Sequence, residues 1–81
     1  VTNLMGSIAM VEVTTAGGSA TEAMTVPGVT GADSKVVATI TDNGTNNVGL
    51  AQAGATGANT VTCIFSGDPS NDTVVCFFVQ N

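Results

Sequence analysis

The 81-residue chain contains no histidine, no tryptophan and no tyrosine, and its single cation is Lys35. Without histidine, His-based catalytic triads and most zinc sites are excluded. The two cysteines form no CxxC pair, which leaves metal binding poorly served. Without Trp or Tyr, a carbohydrate-binding or adhesion module lacks its usual stacking platforms. One cation cannot build the basic patch that nucleic-acid phosphates require. It serves an anionic lipid surface no better. No apolar run approaches the ~20 residues of a membrane-spanning helix. No signal peptide is visible; the chain opens on Val1, and whether a segment once preceded it stays open.

Charge of either sign is scarce. Charged residues make up 9% of the chain, against about a quarter in an ordinary globular domain. The six acids, Glu12, Glu22, Asp33, Asp42, Asp68 and Asp72, give a net charge of −5 and are scattered. No two stand in a recognisable acid/base arrangement, so they are read as supplying solubility and turn chemistry. Nothing suggests catalysis or a cofactor.

What is present is apolar and small. Hydrophobic residues reach 43%, in a single domain, 1–81, of a size that buries only about 60–65% of its unfolded surface. Scaffolds this small compensate with disulfides, a metal or partners. A polar surface of Thr, Ser, Asn and Gly favours partners, in particular other copies of the same chain.

Val, Thr, Ile and Phe are frequent and Gly and Asn punctuate at short intervals, the pattern of an all-β fold. Six strands are expected at 7–15, 20–26, 34–41, 46–53, 58–66 and 72–80, forming a small antiparallel β-sandwich or a jelly-roll-like barrel. Residues 1–18 read as an N-terminal arm or first strand. Pro27-Gly28 is a turn pair. Ser19 and Glu22 match a helix capping box, but the segment is too short and too near Pro27 for a helix. Asn43-Gly44 predicts a type I′ hairpin turn, and Gly49 a bulge or close backbone approach. "GVTGADSKVVATI" from Gly28 and "GATGANTVTCIF" from Gly54 resemble each other, which predicts two related hairpins, 28–53 and 54–81.

The second hairpin holds all three Phe and both Cys. A turn centred between Pro69 and Ser70 sets Cys63 opposite Cys76, Val61 opposite Phe78 and Phe65 opposite Val74 on an inner face. The reverse face then carries Ile64, Phe77 and Val79, expected as a subunit contact. Cys63 and Cys76 have two readings, a cross-strand disulfide or a pair of buried free thiols.

Other motifs are weaker. "GVTG" and "GATG" lack the Lys of a phosphate loop and read as strand entries. "TDNGTNN" (41–47) fails the EF-hand spacing, and a hairpin turn explains it. Asn43-Gly44-Thr45 and Asn71-Asp72-Thr73 are formal glycosylation sequons, expected by chance in a chain this rich in Asn and Thr.

Ala20 to Val26 ("ATEAMTV"), then Phe65, Ser66, Asp68, Pro69 and Asp72 ("FSGDPSND") with an apolar C-terminal strand, resemble a group of small virion proteins of tailed bacteriophages. The resemblance covers roughly residues 20–80, and its motifs are turn chemistry rather than active-site chemistry. It implies a non-enzymatic, oligomeric capsid decoration (cement) or fibre-associated β-domain, located on the virion and partnered by its own copies and a major capsid protein. The paired cysteines depart from that pattern. The alternative is a self-assembling subunit of a secreted microbial filament or surface layer, with Val1 to Val13 pairing onto a neighbour's sheet edge.

Overall fold

Six antiparallel strands carry the fold in a computed structural model that describes residues 8–80: β1 (Ala9–Thr14), β2 (Thr21–Thr25), β3 (Lys35–Asp42), β4 (Leu50–Gly57), β5 (Thr60–Phe65) and β6 (Val74–Gln80). They form two three-stranded sheets, ordered β1-β6-β3 and β2-β5-β4, packed as a small β-sandwich without barrel closure. Five expected strands lie within a few residues of the observed ones. β4 begins and ends four residues later than 46–53, because "AGATG" continues the strand rather than breaking it.

Alternation explains the layers. In β5, Val61, Cys63 and Phe65 are buried while Ile64 is exposed. In β6, Val75, Phe77 and Val79 point to the core, together with Val11, Val13, Val36, Ala38 and Ile40 of its neighbours. From the other sheet come Met24, Val61, Cys63 and Phe65, with Ala53 and Ala55. Val26 and Val29, on either side of the Pro27-Gly28 turn, close one end of this core. The Val29 amide donates to the Val26 carbonyl across that turn (3.4 Å).

The pairing of neighbours in sequence differs from the two-hairpin expectation. β3 and β4 lie in different sheets, and so do β5 and β6; neither 28–53 nor 54–81 is a hairpin. Both connections, 43–49 and 66–73, are too long for tight turns and carry the chain across the sandwich. Gly44 has φ +64°, but Asn43 does not share a positive φ, so the type I′ geometry is not formed. Among the described residues, the one hairpin between successive strands is β4–β5, turned at Ala58-Asn59, with Asn59 at φ 56°. The two "G-x-T-G" segments are therefore unlike. The first is an inter-sheet loop and the second lies within β4.

Ser19 and Glu22 perform in a strand entry what a capping box performs in a helix. The Ser19 hydroxyl accepts from the Thr21 amide (3.2 Å). The Glu22 carboxylate accepts from the amides of Ala16 (2.7 Å) and Gly17 (2.9 Å). β2 thus begins at Thr21 as an extended segment. Val1 to Ser7, the greater part of the proposed linking arm, lie outside the described residues, whereas Ala9–Thr14 pairs with the chain's own β6.

Candidate functional site

Four of the six acids, Glu22, Asp42, Asp68 and Asp72, accept loop amides. At one end of the sandwich, segments 15–20, 43–49 and 66–73 interlock through carboxylates that accept backbone amides. Asp68 Oδ1 accepts from Gly18 (3.0 Å) and Ser70 (2.9 Å), and its carbonyl from the Asn46 side-chain amide (2.8 Å). Asp72 Oδ2 accepts from the Thr45 amide (3.0 Å) and hydroxyl. Asp42 Oδ1 accepts from the Gly44 amide (3.0 Å). Each carboxylate replaces a water partner for a loop N–H that no strand can satisfy. No group of three or more His, Cys, Asp or Glu side chains converges among the described residues. The sequence "TDNGTNN" is therefore a loop fastened to Asp72.

Two residues seal this end from within. The Thr15 hydroxyl donates to the Ser70 carbonyl (2.6 Å) and accepts from the Thr73 amide (3.3 Å). The fully buried Thr73 hydroxyl lies 2.9 Å from the Pro69 carbonyl and 3.0 Å from that of Asn43, donating between them.

The cysteines do not meet. Cys63 sits on β5 opposite Glu22 and Ala53, facing the core. Cys76 sits on β6 between Glu12 and Thr39, on the side opposite to Phe77. Both are buried and free. Packed sheets stand about 10 Å apart, and a disulfide needs facing Cβ atoms with Cα atoms within about 7 Å. Of the two readings, the structure holds the second, two separate buried thiols at Cys63 and Cys76. Burial first, and the Glu22 carboxylate second, push the Cys63 thiol up from 9.0 to about 11.

A shallow trough of about 330 Å³ runs along the seam where β3 lies against β4, lined by Ala38, Thr39, Ile40, Asn43, Val48, Gly49 and Leu50. It holds no titratable side chain.

The expected subunit contact is inverted at two of its three residues. Phe77 (0% exposed) and Val79 (2%) are core residues, while Ile64 (37%) stands on the outer face of the second sheet. The reason is phase. The assumed β5–β6 hairpin forced Cys63 and Cys76 onto one face; without that pairing, β6 turns Phe77 inward and Phe78 outward.

That outward face is the notable surface of the molecule. The register sets Met10, Phe78 and Val37 side by side across β1, β6 and β3. Ile8 continues the same face of β1 by one alternation. All four are exposed: Met10 67%, Val37 64%, Ile8 53% and Phe78 37%. Scattered exposed apolar residues are ordinary, but a contiguous group on one sheet face marks an interaction surface. Around it stand Gln80 and Lys35 at one end and Glu12, Cys76 and Thr39 at the other. By contrast, the outer face of β2-β5-β4 is mostly Thr and small residues, with Thr56 and Thr62 sharing a hydroxyl hydrogen bond (2.9 Å).

No family model, curated protein or solved structure matches the chain. The site is therefore read from its own residues. Sequence reasoning missed all four, placing Phe78 on the inner face and passing over Ile8, Met10 and Val37. The signal that could have found the last three is the alternation of "IAMVEV" and "KVVATI", where every second residue faces out.

Proposed function

We propose that the chain is a non-enzymatic structural subunit that works by self-association, a capsid decoration or cement protein, or a fibre-associated domain, of a virion. The observation that carries this reading is the contiguous apolar group Ile8, Met10, Val37 and Phe78 on the open face of the first sheet. Burying such a side chain completely from water is worth roughly 1.5–3 kcal/mol, and between 37% and 67% of each of these four is still uncovered. In a small domain of marginal stability, leaving four uncovered is costly in solubility and productive only if a partner covers them. The resemblance of residues 20–80 to small phage virion proteins supplies the setting. The carboxylates of Asp68 and Asp72 fasten the loops at one end of the sandwich to one another. Its partners are other copies of itself and a major capsid protein, and its place is the virion surface.

A second reading, a subunit of a secreted filament or surface layer, is favoured by the open strand edges. β3 and β4 lie against each other along the seam, which leaves β1 and β2 as the outer edges among the described strands, and an unpaired edge can template a neighbour's strand. Closure separates the two readings, since a closing contact gives a discrete oligomer and a non-closing one a fibre. Light scattering on the eluting chain, followed by negative-stain microscopy, decides between them. A discrete oligomer supports the decoration reading, regular fibres support the filament, and an isolated monomer at all concentrations contradicts both.

A further inference from the structure

The outer face of the first sheet is a grid of three strands by three outward positions. Its first row is Gln80 and Lys35, which Ile8 extends by continuing the alternation of β1 one residue before the strand begins, its second Met10, Phe78 and Val37, and its third Glu12, Cys76 and Thr39. Phe78 occupies the centre. The chain's only cation, Lys35, stands at one corner and Glu12 at the diagonally opposite corner, both exposed. Lys35 reaches only the Asp33 carbonyl (3.4 Å), and one Glu12 oxygen accepts from the Thr41 hydroxyl (3.2 Å). Among the described residues neither is in an ion pair.

We infer that two copies pack face to face through this grid, about a two-fold axis close to the Ile8–Phe78–Thr39 diagonal. This deepens the self-association reading above and rests on it. The two-fold places Phe78 on the partner's Phe78, Val37 over the partner's Cys76, and Lys35 over the partner's Glu12. Symmetry makes the ion pair twice.

The other simple two-folds fail on the same residues. An axis along the strands sets Lys35 over the partner's Ile8 and Glu12 over the partner's Thr39. An axis across the strands sets Lys35 over Thr39 of the partner subunit and Glu12 over Ile8 of the partner subunit. Only the diagonal arrangement covers the apolar group and pairs the charges at once. It crosses the strands of the two copies near a right angle, a recognised mode of sheet packing.

Three strands about 4.8 Å apart, with residues rising about 3.4 Å, give a face of roughly 15 by 20 Å. That is on the order of 300 Å² per copy and roughly 600 Å² in all, short of the ~1,200 Å² of standard specific interfaces and in the range of weak, transient association. The pair is therefore a weak, dilution-sensitive dimer, suited to reinforcement by a lattice.

Charge reversal tests the arrangement. Sedimentation equilibrium is run on the full chain, on K35E, on E12K and on the double variant K35E/E12K, with circular dichroism to verify folding. Each single reversal is expected to weaken the dimer by about tenfold or more, because it turns two ion pairs into two like-charge contacts. The double variant is expected to restore it. E12K is the decisive arm. It makes each copy less negative, so general repulsion between acidic chains predicts tighter association, and the diagonal two-fold predicts weaker. A tighter E12K dimer, or no restoration in the double variant, overturns this two-fold while leaving self-association standing. A wild-type chain that stays monomeric at every concentration overturns both and assigns the face to another occupant.

Discussion

Phe77 and Phe78 are neighbours in β6 and face opposite sides of the same sheet, one fully buried and the other 37% exposed. The pleat makes one the centre of the core and the other the centre of the open face. Their substitutions should separate stability from assembly. Phe77→Ala is expected to cost about 3–5 kcal/mol in denaturant unfolding. Phe78→Ser should change folding by less than about 1 kcal/mol, and should lower the apparent mass of the chain at high concentration.

Cys63 links stability to alkaline pH. Its thiol is lifted from 9.0 to about 11 in the folded chain, so the folded state holds this proton more tightly than the unfolded one. The resulting stability is complete below pH 9.0 and is lost progressively as pH rises towards about 11. Urea midpoints measured across that interval should fall more steeply for wild type than for Cys63→Ala. Parallel curves would contradict the assignment.

Both thiols being free has a direct consequence. Thiol titration of the denatured chain, without reductant, should find two reactive groups, and reductant should leave the melting temperature unchanged.

The loop end depends on backbone approach. Gly17 has φ +85°, and a Cβ there would lie 2.7 Å from the Ser70 backbone. Gly17→Ala should therefore destabilise by about 1–3 kcal/mol. Gly54→Ala, in open space within β4, should be neutral or slightly stabilising.

Thr73 joins two loops to the core. Thr73→Val keeps the shape but removes the hydroxyl shared by the Pro69 and Asn43 carbonyls. The expected cost is about 1–3 kcal/mol, with faster amide exchange confined to 43–49 and 66–73.

Strand positions were legible because β-branched runs and Gly, Asn and Pro punctuation are local. Pairing was not. Asn43-Gly44 and "GDPSND" look like hairpin turns, yet their residues fasten crossings between sheets through Asp42, Asp68 and Asp72, partners that only the folded loops bring together. The real hairpin turn, Ala58-Asn59, carries a weak signal. The phase of β6 was illegible for a different reason. "VVCFFV" is apolar at every position, so alternation cannot say which side is in, and the choice falls to tertiary packing. Inverting that phase exchanged Phe77 and Val79 for Phe78 as the contact. The role of the acids in turn chemistry was legible, since scattered carboxylates beside Gly, Ser and Asn have few other uses.

The central claim is that the Ile8, Met10, Val37 and Phe78 face is covered by a partner copy. Sedimentation equilibrium of wild type and Phe78→Asp over one dilution series, with circular dichroism to establish that both are folded, tests it most directly. The account predicts that wild type shifts from monomer to dimer mass as concentration rises, while Phe78→Asp stays monomeric. A folded Phe78→Asp chain that associates as strongly as wild type would contradict it.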